Sequence, residues 1–135
     1  MNKLGIFINF WEKNWDCDHA KYIKKASDLG FDVLEFQAQA LLEMSKERLT
    51  ELKKMADDNN IELTYSLGLD PRFDVSSADE NIRQGGIEYL KNIVERVGFM
   101  DALFSAYAIV GTRSFKILLY DGVPTDKIAF TEKLV

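Results

Sequence analysis

The chain is poor in the residues that most often announce a chemistry. Among its 135 residues there is a single cysteine, Cys17, so no internal disulfide can form, which suits a reducing cytoplasm. A lone histidine, His19, and no complete ligand set predict no tight catalytic metal site within the chain. Positive charge is in the minority: 17 basic residues face 22 acidic ones, for a net charge of -5. Adjacent basic residues occur twice, at Lys24-Lys25 and at Lys53-Lys54, the latter among Glu and Asp, and the others are scattered, so no nucleic-acid partner is expected. The apolar run Leu4–Trp11 is too short for a signal peptide and its cleavage site, and far too short to span a bilayer. A glycine-rich phosphate loop is also missing, because Gly85-Gly86 falls inside a helical pattern and follows no strand.

What is present is the material of one globular domain, with 47% hydrophobic and 29% charged residues. Leu4–Phe10 is nearly all apolar, as in a strand buried on both faces of a parallel sheet. Asp16 and Asp18 offer caps to a helix with the stripe Ala20, Ile23, Ala26 and Leu29, closed by Gly30. Phe31–Ala38 reads as a second strand, Ser45 caps a second helix ending at Asn59-Asn60, and Ile61–Leu67 reads as a third strand. Ser77-Ala78-Asp79-Glu80 has the form of a capping box before a long helix stopped by Gly98. Three strand–helix repeats of about thirty residues predict a parallel α/β fold. After residue 100 the pattern changes. Asp101–Gly111 and Phe115–Tyr120 are strand candidates with no helix between them, a hairpin or an abrupt edge, and Thr125 can cap a short last helix.

The opening Gly5-Ile6-Phe7, followed by Trp11 and Trp15, runs a short strand into two tryptophans, an arrangement that lets ring faces cover the C–H side of a sugar. Together with Leu29-Gly30-Phe31-Asp32-Val33-Leu34-Glu35, Ala56-Asp57-Asp58-Asn59, Leu67-Gly68-Leu69 and Ser76-Ser77-Ala78-Asp79, it resembles the amino-terminal part of the D-tagatose/D-psicose (allulose) 3-epimerase family, within the xylose-isomerase-like barrels. The resemblance implies a partial TIM-type (β/α) barrel: βα repeats over residues 1–100, with a divergent tail over 101–135 packed on the same domain. A full (β/α)8 barrel takes about 250 residues. The family reaction is inversion of a ketohexose at C3 through an enediolate, which requires a divalent cation such as manganese or cobalt and a base on each face. In the family the metal is held by two Glu, one Asp and one His from later strands. No position of this chain matches them, so no cofactor bound by this chain alone and no catalytic residue are expected.

What the resemblance carries over is a substrate wall: Phe7 at the end of the first strand, Trp15 shielding the sugar from water, Ser66 facing the substrate, and Gly68 letting the third loop turn. Beside it stand plainer readings. Trp11 reads as packing and Glu35 as a strand-end acid paired with a Lys or Arg. His19, with Asp16 and Asp18, reads as the solvated first turn of a helix, where acids suit the dipole. Cys17 reads as an inert thiol, and Asp70–Asp74 as a polar loop. The functions expected are a truncated ketose 3-epimerase inactive alone, a self-associating half-barrel that binds sugar or serves a structural role, or half of a two-chain enzyme.

Overall fold

The computed structural model describes residues 2–14, 16–110 and 113–119, the last two strands by their backbone alone. In chain order the elements are β1 (Gly5–Phe7), α1 (His19–Asp28), β2 (Val33–Gln37), α2 (Lys46–Asp58), β3 (Glu62–Gly68), α3 (Glu80–Phe99), β4 (Leu103–Val110) and β5 (Arg113–Leu119). Short 3-10 turns leave the ends of β1, β2 and β3. The sheet runs β1-β2-β3-β4-β5, parallel through β4 and antiparallel at β5. Four neighbouring parallel strands joined by helices form an arc of a (β/α) barrel. The change of grammar after residue 100 is a hairpin rather than an edge. Trp15, the turn at Asp121-Gly122 and the helix expected after Thr125 lie outside the described residues.

Each strand is shorter than or shifted from its apolar run, because the first residues past the sheet tighten into 3-10 turns. The run Leu4–Phe10 divides in this way: Gly5–Phe7 pairs with β2, and Ile8–Phe10 turns away, with Trp11 and Glu12 both donating to the Ile8 carbonyl. The helices pack on one face of the sheet. Leu34 and Phe36 of β2 and Leu63, Tyr65 and Leu67 of β3 are buried there. They form one core with Ile23 and Ala26 of α1, Leu49 and Leu52 of α2, and Leu90, Ile93 and Val97 of α3. Alternation along the strands then sends their other residues to the opposite, lumen-type face.

The helix ends show why the chain turns where it does. Gly30 closes α1 with φ +80, a conformation that costs a residue with Cβ and that glycine takes freely. Asp18 caps α1 by accepting from the Ala20 amide at 3.1 Å, and Ser45 caps α2 through the Arg48 amide at 3.2 Å. The capping box at residues 77–80 does not form. Asp79 is the cap of α3, accepting from the Asn81 amide at 2.9 Å, while Ser77 accepts from the Asp79 amide one turn earlier. Glu80 turns to Arg83 and accepts from the Gln84 side-chain Nε2 at 2.7 Å. A carboxylate against the exposed amides and positive end of the helix outcompetes a neutral hydroxyl. Asp79→Ala is therefore expected to cost about 1 kcal/mol in urea unfolding. Ser77→Ala is expected to stay within about 0.5 kcal/mol.

Candidate functional site

In a (β/α) barrel the chemistry sits where the strands end and the βα loops begin. The strand register sets out the residues there in rows. Phe7, Glu35 and Thr64 lie side by side on β1, β2 and β3, in line with Leu103 of β4. One step further along, Gln37, Ser66 and Ser105 are in register, and beyond them Gly68 faces Tyr107. This face is polar where the helix-packed face is apolar. Thr64 and Ser66 are only 9% and 6% exposed, buried hydroxyl-bearing residues on a lumen-type surface. Phe7 is half-buried against the core and supplies the apolar end of its row. Three of the four expected substrate residues, Phe7, Ser66 and Gly68, thus converge on one patch.

Gln37 and Thr64 belong to the same patch and went unnoticed in the sequence. The alternation Val33-Leu34-Glu35-Phe36-Gln37 contained the signal for Gln37. The alternation Glu62-Leu63-Thr64-Tyr65-Ser66-Leu67 held the same signal for Thr64, although both faces of the folded strand are buried over its five central residues. Among the described residues Glu35 has no ion-pair partner, and it shares its row with a threonine and a phenylalanine. Gly68 corrects its reading too. Its φ is not in the left-handed region and a Cβ there would meet nothing within 4 Å, so the turn does not require glycine at this point.

Two well-braced loops rim the patch. After β1, the Glu12 carboxylate accepts from the amides of Lys13 at 2.9 Å and Asn14 at 3.2 Å, and from the Tyr22 hydroxyl at 2.9 Å. These donors, the Asn14 amide foremost, hold its carboxyl below the usual value. Trp11 stacks on Tyr22 at 6.0 Å with the Lys25 ammonium 4.5 Å from its ring, which makes it a packing residue, as expected. After β3, what looked like a plain polar loop is a packed one. Asp70 accepts from the Arg72 amide and its Nε, both at 2.9 Å, and is held below the ordinary carboxyl value by that arginine. Phe73 stacks on Tyr89 of α3 at 4.2 Å with the rings 6° from parallel. Gly86 lets this loop close on α3: a Cβ there would lie 2.3 Å from the Phe73 carbonyl oxygen.

His19 does not sit in a solvated first turn. It is 2% exposed, its ring centroid is 4.1 Å from that of Phe36, and its Nδ1 bonds the Cys17 carbonyl at 2.9 Å. It therefore faces the helix side of β2, away from the polar rows. Among the described residues no three His, Cys, Asp or Glu side chains are grouped so as to hold a metal ion. A cavity of about 640 Å3 lies at the opposite, amino-terminal end of the strands, lined by Asp32, Ile61, Leu63 and Met100. The ion pairs Lys3–Glu62 and Lys53–Asp101 flank it. That end of a barrel serves stability rather than catalysis.

With parallel βα units in barrel order and a polar face converging at the strand ends, residues 23–105 match the model of the xylose isomerase-like TIM barrel family, and the chain belongs to that family. The match runs past residue 100 into β4, further than the resemblance in the sequence reached. Among its relatives is D-psicose 3-epimerase of Ruminiclostridium cellulolyticum, 34% identical over 118 residues, covering 83% of this chain and 40% of that protein. The D-psicose 3-epimerase of Agrobacterium fabrum is 33% identical over 99 residues, covering 73% of this chain and 34% of its own length. The crystal structure of D-psicose 3-epimerase with D-tagatose from Clostridium cellulolyticum H10 superposes with a TM-score of 0.76 at 31% identity, over 84% of this chain and 42% of that one. The chain thus spans 40% or less of the length of these two curated relatives. No helix among the described residues is long and apolar enough to cross a membrane.

Proposed function

We propose that this chain forms the amino-terminal wall of a ketohexose pocket of the 3-epimerase type and does not carry out epimerisation by itself. The observation behind this reading is the pair of register rows, Phe7-Glu35-Thr64 and Gln37-Ser66, at the site-bearing end of the arc. A ketohexose has an apolar C–H face and a rim of hydroxyls. Phe7 supplies an aromatic surface for the first, Trp15 by its family likeness a second, and Gln37, Thr64 and Ser66 supply donors and acceptors for the other. Gly68 leaves open space at the end of the third strand, where a side chain would otherwise narrow the pocket.

The residues present do not fit the divalent ion of the related enzymes. The polar rows of β1–β3 hold one strand-end carboxylate, Glu35, beside the amide of Gln37. The lone imidazole faces the other way. A hard divalent ion wants several oxygen ligands held together, and one carboxylate is a poor cage. No proton transfer at C3 is therefore assigned to this chain, and its part is binding, orientation and exclusion of water. The purified chain, of checked mass and folded, is expected to give no turnover of D-fructose, D-tagatose or D-psicose with or without manganese or cobalt. Metal-dependent turnover by the chain alone would overturn the proposal. Turnover appearing only with a second chain that bears two Glu, an Asp and a His would extend it to a split enzyme.

A self-associating half-barrel is the second reading, favoured by one feature. Among the described residues β1 pairs on one side only, and Leu4 and Phe10 beside it are 60% and 80% exposed. Open strand edges and exposed apolar groups favour association. A monodisperse dimer by light scattering would support this reading, and a monomer at high concentration would end it.

A further inference from the structure

We propose that His19 is an acid-sensitive latch: gaining a proton, its imidazole releases the loop between β1 and α1 from the sheet and loosens the site-bearing end of the chain. Burial and the helix end place the ring where an added charge is unwelcome, while the bond to the Cys17 carbonyl favours the cation and only partly offsets them. His19 is the first residue of α1 yet is buried to 2% exposure, wedged between the loop and Phe36 of β2. The Cys17 carbonyl accepts a hydrogen bond from Nδ1, so the neutral ring carries its proton there and a second proton has to go to Nε2. The ring also lies at a helix amino terminus, where the backbone amides already supply positive potential.

The charged groups around it do not rescue the cation. Arg48 reaches over from α2, and its positive charge opposes imidazolium formation. Asp18 on the loop favours the cation, but its carboxylate is shared with the Ala20 amide and with the Arg48 guanidinium at 3.3 Å. From β2 the facing group is the Phe36 ring, whose π face attracts a cation only weakly compared with the water the ring has lost. Burial, the first cause, together with Arg48 holds the histidine below its ordinary value, so the folded loop prefers the neutral ring. As pH falls through about 6.5 the unfolded or released loop takes up the proton first, and mass action favours release. The step moves one proton from solvent to Nε2 and breaks no covalent bond.

The chain's composition makes the test unusually direct. With one histidine, a single imidazole resonance reports the whole titration, and with one cysteine two residues away, Cys17 reports access to the loop. Cys17 is half-buried in the closed loop. The full chain would be labelled with 4,4′-dithiodipyridine, which reacts in acid, between pH 7.5 and pH 5, with rates normalised to the urea-unfolded chain. Normalised labelling is expected to rise about tenfold on acidification, following a histidine midpoint below 6.5 by proton NMR. In His19→Gln the rise is expected to vanish, while α3 amides stay protected from hydrogen exchange in both proteins. Labelling that ignores pH in the wild-type chain overturns the latch. So does an equal rise in His19→Gln, or loss of α3 protection at the same pH as the labelling, which is global unfolding. Should His19→Gln fail to fold, the wild-type comparison still decides, because a labelling midpoint displaced from the histidine midpoint refutes the coupling.

Discussion

Gly86→Ala is expected to lower the unfolding midpoint by roughly 8 °C, from a loss of about 2 kcal/mol at a few °C per kcal/mol for a chain of this size. The cause is backbone against backbone. A Cβ at residue 86 meets the Phe73 carbonyl oxygen at 2.3 Å and its carbon at 2.8 Å, neither of which a rotamer change can move. To admit the methyl group the loop after β3 must lift from α3, and the Phe73–Tyr89 stack at 4.2 Å goes with it. The neighbouring Gly85→Ala is the control with the opposite sign. Nothing lies within 4 Å of its Cβ position on α3, so alanine is expected to stabilise by about 0.5–1 kcal/mol through helix propensity. Thermal scans followed by circular dichroism decide it. If both alanines move the midpoint alike, close approach at residue 86 is not what holds the loop. Functionally the loop begins at Gly68 and rims the polar patch, so lifting it is expected to weaken any sugar binding more than Gly85→Ala does.

Phe36→Ala is the second large effect, an expected loss of about 3–5 kcal/mol in urea unfolding. Phe36 is 1% exposed, and its ring lies 4.1 Å from His19 and 6.2 Å from Tyr65 by centroids. Removing it empties the seam between β2, α1 and β3, where the loop before α1 is fastened. A loss of this size approaches the whole stability of many domains, so Phe36→Leu is the more informative partner, with an expected cost of about 1–2 kcal/mol. Phe36 and Gln37 are adjacent on β2 and point to opposite faces. The pair tests whether the polar row depends on the packing behind it. A Phe36→Ala protein as stable as wild type would contradict the core described here.

The helices and their order were written into the sequence, because an amphipathic stripe and a cap are local features. Ala20-Ile23-Ala26, the cap at Ser45 and the close of α1 at Gly30 needed only their near neighbours to be read. The family likeness was also local, carried by short segments in order along the chain, and the family match over residues 23–105 agrees with it. Choices between two nearby candidates were harder. Asp79 displaced Ser77 as the cap of α3 because charge, not motif form, decides which group meets the helix end.

The candidate site was less legible, since a row across three strands exists only once register is set. Phe7, Glu35 and Thr64 are separated by about thirty residues each in sequence, and they become neighbours through parallel pairing alone. His19 shows the same limit from the other side. Its sequence neighbours Asp16 and Asp18 suggested a wet helix start, whereas Phe36 of β2, packed onto it from seventeen residues away, made it a buried ring. By itself the sequence determined the repeating βα pattern, the order of the helices and the family, all of which are carried by short local segments. Tertiary structure alone decided which side chains share a face, that glycine is needed at residue 86 rather than 68, and that the lone histidine is dry, because each depends on chain segments brought together by the burial of a common core.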